Sequence, residues 1–118
     1  MNITTTRIDS PHCTVLVIEG KVVGAGSIEL ETALQRAIAD GEIRLVLDLT
    51  GAPLIASSGL RVIISAAKRV RAIPSGDLRL SCPTQHMLDV LDLAGLLRVF
   101  KVYSSQQEAV ASFADGDR

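Results

Sequence analysis

Apolar and polar positions along the chain switch between two periods. From Leu45 to Leu49 the order is Leu-Val-Leu-Asp-Leu, a short apolar run suited to a strand buried on both faces. Thr50-Gly51-Ala52-Pro53 breaks that run, because glycine permits unusual turns and proline lacks an amide donor. Beyond Ser57-Ser58-Gly59 the apolar residues are Leu60, Ile63, Ile64, Ala67 and Val70. Their spacing is helical and turns one stripe toward a core. Lys68, Arg69 and Arg71 close the segment, where cations interact favourably with a helix C-terminus. The central unit is therefore strand, loop and helix, with two serines at the helix entrance.

Periodicity places the remaining elements around it. Ile3 to Ile8 and Cys13 to Glu19 have strand character, and Asp9-Ser10-Pro11-His12 between them is turn chemistry. A hairpin follows, its more polar first strand at an edge, with His12 an ordinary turn residue. Gly20 to Gly26 is a glycine-punctuated loop, and Ser27 is placed to cap a helix with the stripe Ile28, Leu30, Ala33, Leu34, Ala37 and Ile38. Gly41 is placed to end it. Leu78, Leu80 and Cys82 alternate with Arg79 and Ser81 at strand period. Pro83-Thr84 opens a helix through Met87, Leu88, Val90 and Leu91 that stops near Gly95. Leu97 to Val102 reads as a last strand, and Ser104 and Ser105 offer overlapping capping boxes with Gln107 and Glu108 for a final helix through Ala109, Val110 and Phe113. Ala114 to Arg118 is expected to fray.

Strands alternating with helices imply parallel crossovers. The fold class is α/β: a mixed, mainly parallel sheet of about five strands with about four helices and an antiparallel N-terminal edge. With 118 residues the chain fits one domain, its ordered core running from about residue 3 to 113. Ligand sites in such sheets gather at the carboxyl ends of strands. The loops at Gly20–Gly26, Ala52–Ser58 and Pro83–Thr84 all follow strands and so share that end.

Composition narrows the chemistry. Hydrophobic residues make up 47% of the chain and aromatics 3%, so the core is built from Val, Ile, Leu and Ala. A net charge of −1 gives no general attraction to nucleic acid or anionic membrane. No run approaches the ~20 apolar residues of a membrane span, and the N-terminal residues do not resemble a signal peptide, so a cytoplasmic location is expected. Cys13 and Cys82 have no metal-ligand spacing and read as reduced thiols, with no metal and no cofactor. Gly24-Ala25-Gly26 lacks the third glycine of a dinucleotide fingerprint and is not a phosphate-cradling loop. A serine hydrolase elbow would need a glycine where Ala56 and Ile55 stand, so an enzyme is not expected.

The serines carry the chemistry that remains. Ser57 is a natural N-cap, which puts Ser58 at the first helical position with an accessible hydroxyl. A phosphate there would add about −1.5 to −2 charges beside the positive end of a helix. On local pattern alone the two serines do no more than cap the helix.

Leu45-Val46-Leu47-Asp48-Leu49 followed by Ser57-Ser58-Gly59-Leu60, with the later Leu88-Asp89-Val90-Leu91-Asp92-Leu93-Ala94-Gly95-Leu96 and Val99-Phe100, resembles the STAS domain family, and within it the small bacterial anti-sigma factor antagonists. The resemblance runs from Thr4 to about Phe113 and implies the STAS-like, or SpoIIAA-like, fold. It implies that Ser58 is the phospho-acceptor of a partner anti-sigma factor serine kinase, which brings the ATP, and that a serine phosphatase reverses the modification. It also implies a partner-binding surface of Ala56, Ser57, Gly59 and Leu60 together with Val23 and Gly24. Ala56 and Val23 stand where the family often carries acidic residues, which takes charge off that surface. The function implied is regulation of sigma-factor-dependent transcription by a protein-binding switch. The alternative is a STAS interaction module that works without phosphorylation in a larger regulatory or membrane-associated assembly. No direct contact with nucleic acid is implied, and a homodimer stays open beside a monomer.

Overall fold

A computed structural model describes residues 1–114. Its sheet has the order β1 (Asn2–Asp9), β2 (His12–Glu19), β3 (Arg44–Gly51), β4 (Asp77–Ser81), β5 (Val102–Tyr103). β1 pairs antiparallel with β2, and the other neighbours are parallel. The helices are α1 (Ala25–Ala39), α2 (Ser57–Arg71), α3 (Gln85–Leu93) and α4 (Gln106–Ser112). This is the mixed α/β arrangement that the alternating periods predict.

Strand alternation divides the core in two. Leu16, Ile18, Leu45, Leu47, Leu49, Leu78 and Leu80 pack with residues of α1, α2 and α3, including Leu30, Leu34, Ile63, Ala67, Val70, Met87 and Leu91. Cys13, Val15 and Val46 face the other way, against Ala109 and Phe113. Burial pushes the Cys13 thiol up, against the pull of Arg44 and Arg79. The alternation in β4 would ordinarily leave Arg79 and Ser81 facing water. Both are buried instead. The Arg79 guanidinium lies 4.0 Å from the centre of the Phe113 ring, donates to Ser112 Oγ at 2.7 Å and pairs with Asp77 at 3.0 Å.

Several element ends differ from the sequence reading. Leu97 to Val102 is not one strand. Gly95 takes a left-handed conformation (φ 73°), and the amides of Val99 and Phe100 both donate to the Leu96 carbonyl, so Leu96–Arg98 winds into a 3₁₀ turn. That winding buries Phe100 and leaves β5 two residues long. Ile28 leaves the α1 stripe and is 65% exposed. His12 opens β2 instead of lying in the turn. It reaches the buried Glu42 carboxylate at 3.1 Å, beside Arg7 at 3.3 Å and the Thr14 hydroxyl at 2.9 Å. Ser105 does cap α4, accepting from the Glu108 amide, but the Glu108 carboxylate takes its bond from Ser104 Oγ and Gln107 plays no part in the cap. The predicted fraying of the tail falls largely on 115–118, outside the described residues.

Gly41 ends α1 as its position predicts, at φ 86°. The Gly41 and Glu42 amides donate back to Ile38 and Ala37, the paired bonds of a Schellman motif. Among the described residues no helix is long and apolar enough to cross a membrane.

Asp48 ties the sheet to α4. Its carboxylate accepts from the Thr50 amide and hydroxyl at 3.0 and 2.6 Å and from Gln106 at 2.7 Å. Burial alone would raise its pKa, but these bonds prevail and hold the carboxyl below its usual value. A depressed folded-state value means that the unfolded chain takes up the proton first. The stabilisation is therefore present above the unfolded value of about 4 and is lost as pH falls through the folded one. Asp48→Asn should accordingly flatten the acid side of the stability curve below about pH 5. Urea unfolding of both proteins at several acidic pH values checks this; parallel curves would count against it.

Candidate functional site

The parallel strands bring their carboxyl ends to one edge, so the segments after β2, β3 and β4 converge there. The first two are sewn together by backbone. Val22 forms a parallel bridge with Ile55. Its amide donates to the Leu54 carbonyl at 3.0 Å, and its carbonyl accepts from the Ala56 amide at 2.9 Å. Gly20 adds a bond to the Gly51 carbonyl at 2.9 Å. The loop after β2 is thus a surface loop only in part, since Val22 is fully buried while Val23 and Gly24 are exposed.

This seam fixes where α2 begins. With its amide bound to Val22, Ala56 stays extended (φ −90°, ψ 170°) and becomes the N-cap residue, without a side chain to cap with. Ser57 was expected there and lies one position further on, at the first helical residue, with Ser58 second. Both serines are exposed. The same displacement occurs at α1. Gly24, at φ 51°, occupies the N-cap position, and Ser27 lies inside the first turn with its amide bonded to the Gly24 carbonyl. Freed from capping, Ser27 is buried and its Oγ lies 2.8 Å from Ser58 Oγ, one hydroxyl donating to the other.

Gly59 has a structural task. A Cβ at this position would lie 2.7 Å from Val22 Cγ1 and 2.8 Å from Ile55 Cγ1, so only glycine lets α2 press against the seam. Gly59 is buried, whereas Ser57, Val23 and Gly24 are exposed. Ala56 and Leu60 are half-buried beside Gly59. Sequence reading missed Leu54, which is 36% exposed on the seam, and Thr84, whose hydroxyl donates to the Pro53 carbonyl at 3.4 Å and joins the start of α3 to the same edge. In the sequence Pro83-Thr84 shows only as a helix start at this end of the sheet; Thr84 is the N-cap of α3, its side chain accepting from the Met87 amide.

Electrostatically the site is spare. Neither α1 nor α2 has an acidic residue in its first turn. A helix start leaves amides without intrahelical acceptors, and here no cap side chain takes them up. Among the described residues there is no group of His, Cys, Asp and Glu able to hold a metal ion. The arrangement offers an exposed serine at the positive end of a helix, its hydroxyl bonded among the described residues to Ser27, with Val23 and Leu54 exposed on the two seam segments.

Residues 3–109 match the STAS domain family. A Bordetella bronchiseptica protein provisionally named anti-sigma factor antagonist BtrV is 34% identical over 113 residues, covering 96% of this chain and 95% of its own. An anti-sigma-factor antagonist (STAS) domain protein from Planctomyces limnophilus superposes with a TM-score of 0.83 at 20% identity, over 95% of this chain and 97% of that one. The phosphorylated form of the Bacillus cell fate determinant SpoIIAA superposes with a TM-score of 0.72 at 16% identity, over 94% and 98%. At such identities the likeness to solved structures shows the fold.

Gly59→Ala should lower stability by about 1–3 kcal/mol, the usual cost of an overpacked methyl. A lower urea midpoint with an unchanged slope is the expected result, and an unchanged midpoint would mean that the seam yields freely.

Proposed function

Because the chain belongs to the STAS domain family, we propose that it is an anti-sigma factor antagonist switched by phosphorylation of Ser58. Unmodified, the surface around Ser58 binds an anti-sigma factor serine kinase and releases the sigma factor. Phosphorylated, it binds weakly until a serine phosphatase removes the group. The nucleoside triphosphate belongs to the kinase, and this chain contributes the acceptor oxygen.

The observation that carries this reading is the exposed residue Ser58 at the second position of an uncapped helix. The start of α2 can take a phosphate dianion favourably, because the helix dipole and its leading amides point toward it. The absence of an acidic group at Ala56 helps, since a carboxylate there would repel the phosphate and compete for the same amides. Docking has a different requirement. Val23 and Leu54, 40% and 36% exposed, are apolar surface on the two seam segments. A partner packed on them gains from removing them from water, and a bulky dianion on Ser58 opposes a contact that includes the serine. The name of the Bordetella relative and the solved phosphorylated form of SpoIIAA support the same reading.

Incubation with the anti-sigma factor kinase of the host and ATP, followed by mass spectrometry, should find one phosphate, on Ser58, and none in Ser58→Ala. Ser58→Glu should weaken kinase binding at least about tenfold. Binding that is indifferent to Ser58→Glu, together with an unphosphorylated Ser58, would point instead to an interaction module without a switch.

A further inference from the structure

The acceptor hydroxyl has a partner in its own chain. Ser27 is 3% exposed and comes from α1, 31 residues away in sequence, yet its Oγ is 2.8 Å from that of Ser58. We infer that Ser27 is a positioning residue for this site: it holds the Ser58 oxygen before phosphoryl transfer and becomes its fixed hydrogen-bond donor afterwards. The inference rests on Ser58 being the acceptor and adds the residue that couples its two states.

Proton bookkeeping makes the two states unequal. Between two hydroxyls either oxygen can donate. In the transfer, a lone pair of Ser58 Oγ forms a bond to the γ-phosphorus of the kinase-bound nucleoside triphosphate. The bond from that phosphorus to the nucleoside diphosphate breaks, and the serine proton leaves to a base of the kinase. The product oxygen is an ester oxygen without a proton. Only Ser27 can then donate, to the ester oxygen or to a phosphate oxygen beside it. Hydrogen bonds to an ionised acceptor are about twice as strong as neutral ones, so the same Ser27 hydroxyl binds the product more firmly than the reactant. Its burial keeps competing water from that side.

A mere rivet between α1 and α2 differs from such a donor in its consequences. A rivet alters stability alone. A donor aimed at the phosphate also favours the dianion over the monoanion, and so lowers the second phosphate pKa from its usual value near 6. Lys21, Glu29 and Arg61, the charged residues of the adjoining loop and of the two helix starts, are common to every variant, so their influence on the phosphate cancels in a comparison.

The test installs phosphoserine at position 58 by genetic code expansion and follows the phosphorus resonance with pH. In Ser27→Ala the second phosphate dissociation constant should be about three- to tenfold smaller than with Ser27 present. In urea the two chains should titrate alike. Should Ser27→Ala not fold, Ser27→Cys, which keeps the volume and weakens the donor, is compared in the same way. Equal dissociation constants in the folded proteins would overturn the inference. Because the phosphate is placed without a kinase, failure of the kinase to modify Ser58 would count against the switch and leave this titration readable.

Discussion

Two backbone hydrogen bonds, one to the amide and one from the carbonyl of Val22, decide the geometry of the whole carboxyl edge of the sheet. They extend the pairing of β2 and β3 past the ends of both strands, as the Val22–Ile55 bridge. Everything near Ser58 follows from that extension. Ala56 is held extended and cannot join the helix, and α2 therefore starts at Ser57. Gly59 then faces Val22 and Ile55 directly, in a gap too small for a side chain. The helix start is set against the seam by steric exclusion, and the exposed serine is carried on a rigid support. Sites built on paired backbone and helices hold geometry better than sites on free loops.

The order of strands and helices was legible because each period is strong over its own segment. The stops were legible too, where one residue type carries the signal: Gly41 and Gly95 both adopt the positive φ that ends a helix. Ser27 and Ser57 misled, and for one reason. A serine before an apolar stripe is good evidence of a cap, but the register of the cap is set by tertiary contacts. At α1 the turn begins with the Gly26 amide bonded to the Val23 carbonyl, and at α2 the seam claims Ala56. Each helix thereby starts earlier than its serine suggests. The 31-residue separation of Ser27 from Ser58 left no local trace, and nothing in the run Gly20 to Gly26 marks Val22 as buried while its neighbour Val23 is exposed.

The scarcity of negative charge around Ser58 has a coherent physical effect. The two segments that flank Ser58, with Val23 in one and Ala56 in the other, hold no carboxylate, and the first turns of both adjacent helices are free of acidic residues. With little charge of its own, such a surface recognises a partner by shape and apolar contact more than by attraction at a distance. A phosphate added to this background changes the local potential more, in proportion, than it would among existing carboxylates. The weak fixed charge and the sensitivity to one added dianion belong together.

All of this depends on the seam being as firm as the sheet that it prolongs. Amide hydrogen exchange, read residue by residue in the unmodified protein, addresses that directly. If the seam holds α2 and its serine in place, the Val22 and Ala56 amides exchange as slowly as those of Leu47 and Leu49 in β3. Exchange of Val22 and Ala56 at the fast rate of an open loop, with β3 still protected, would contradict it.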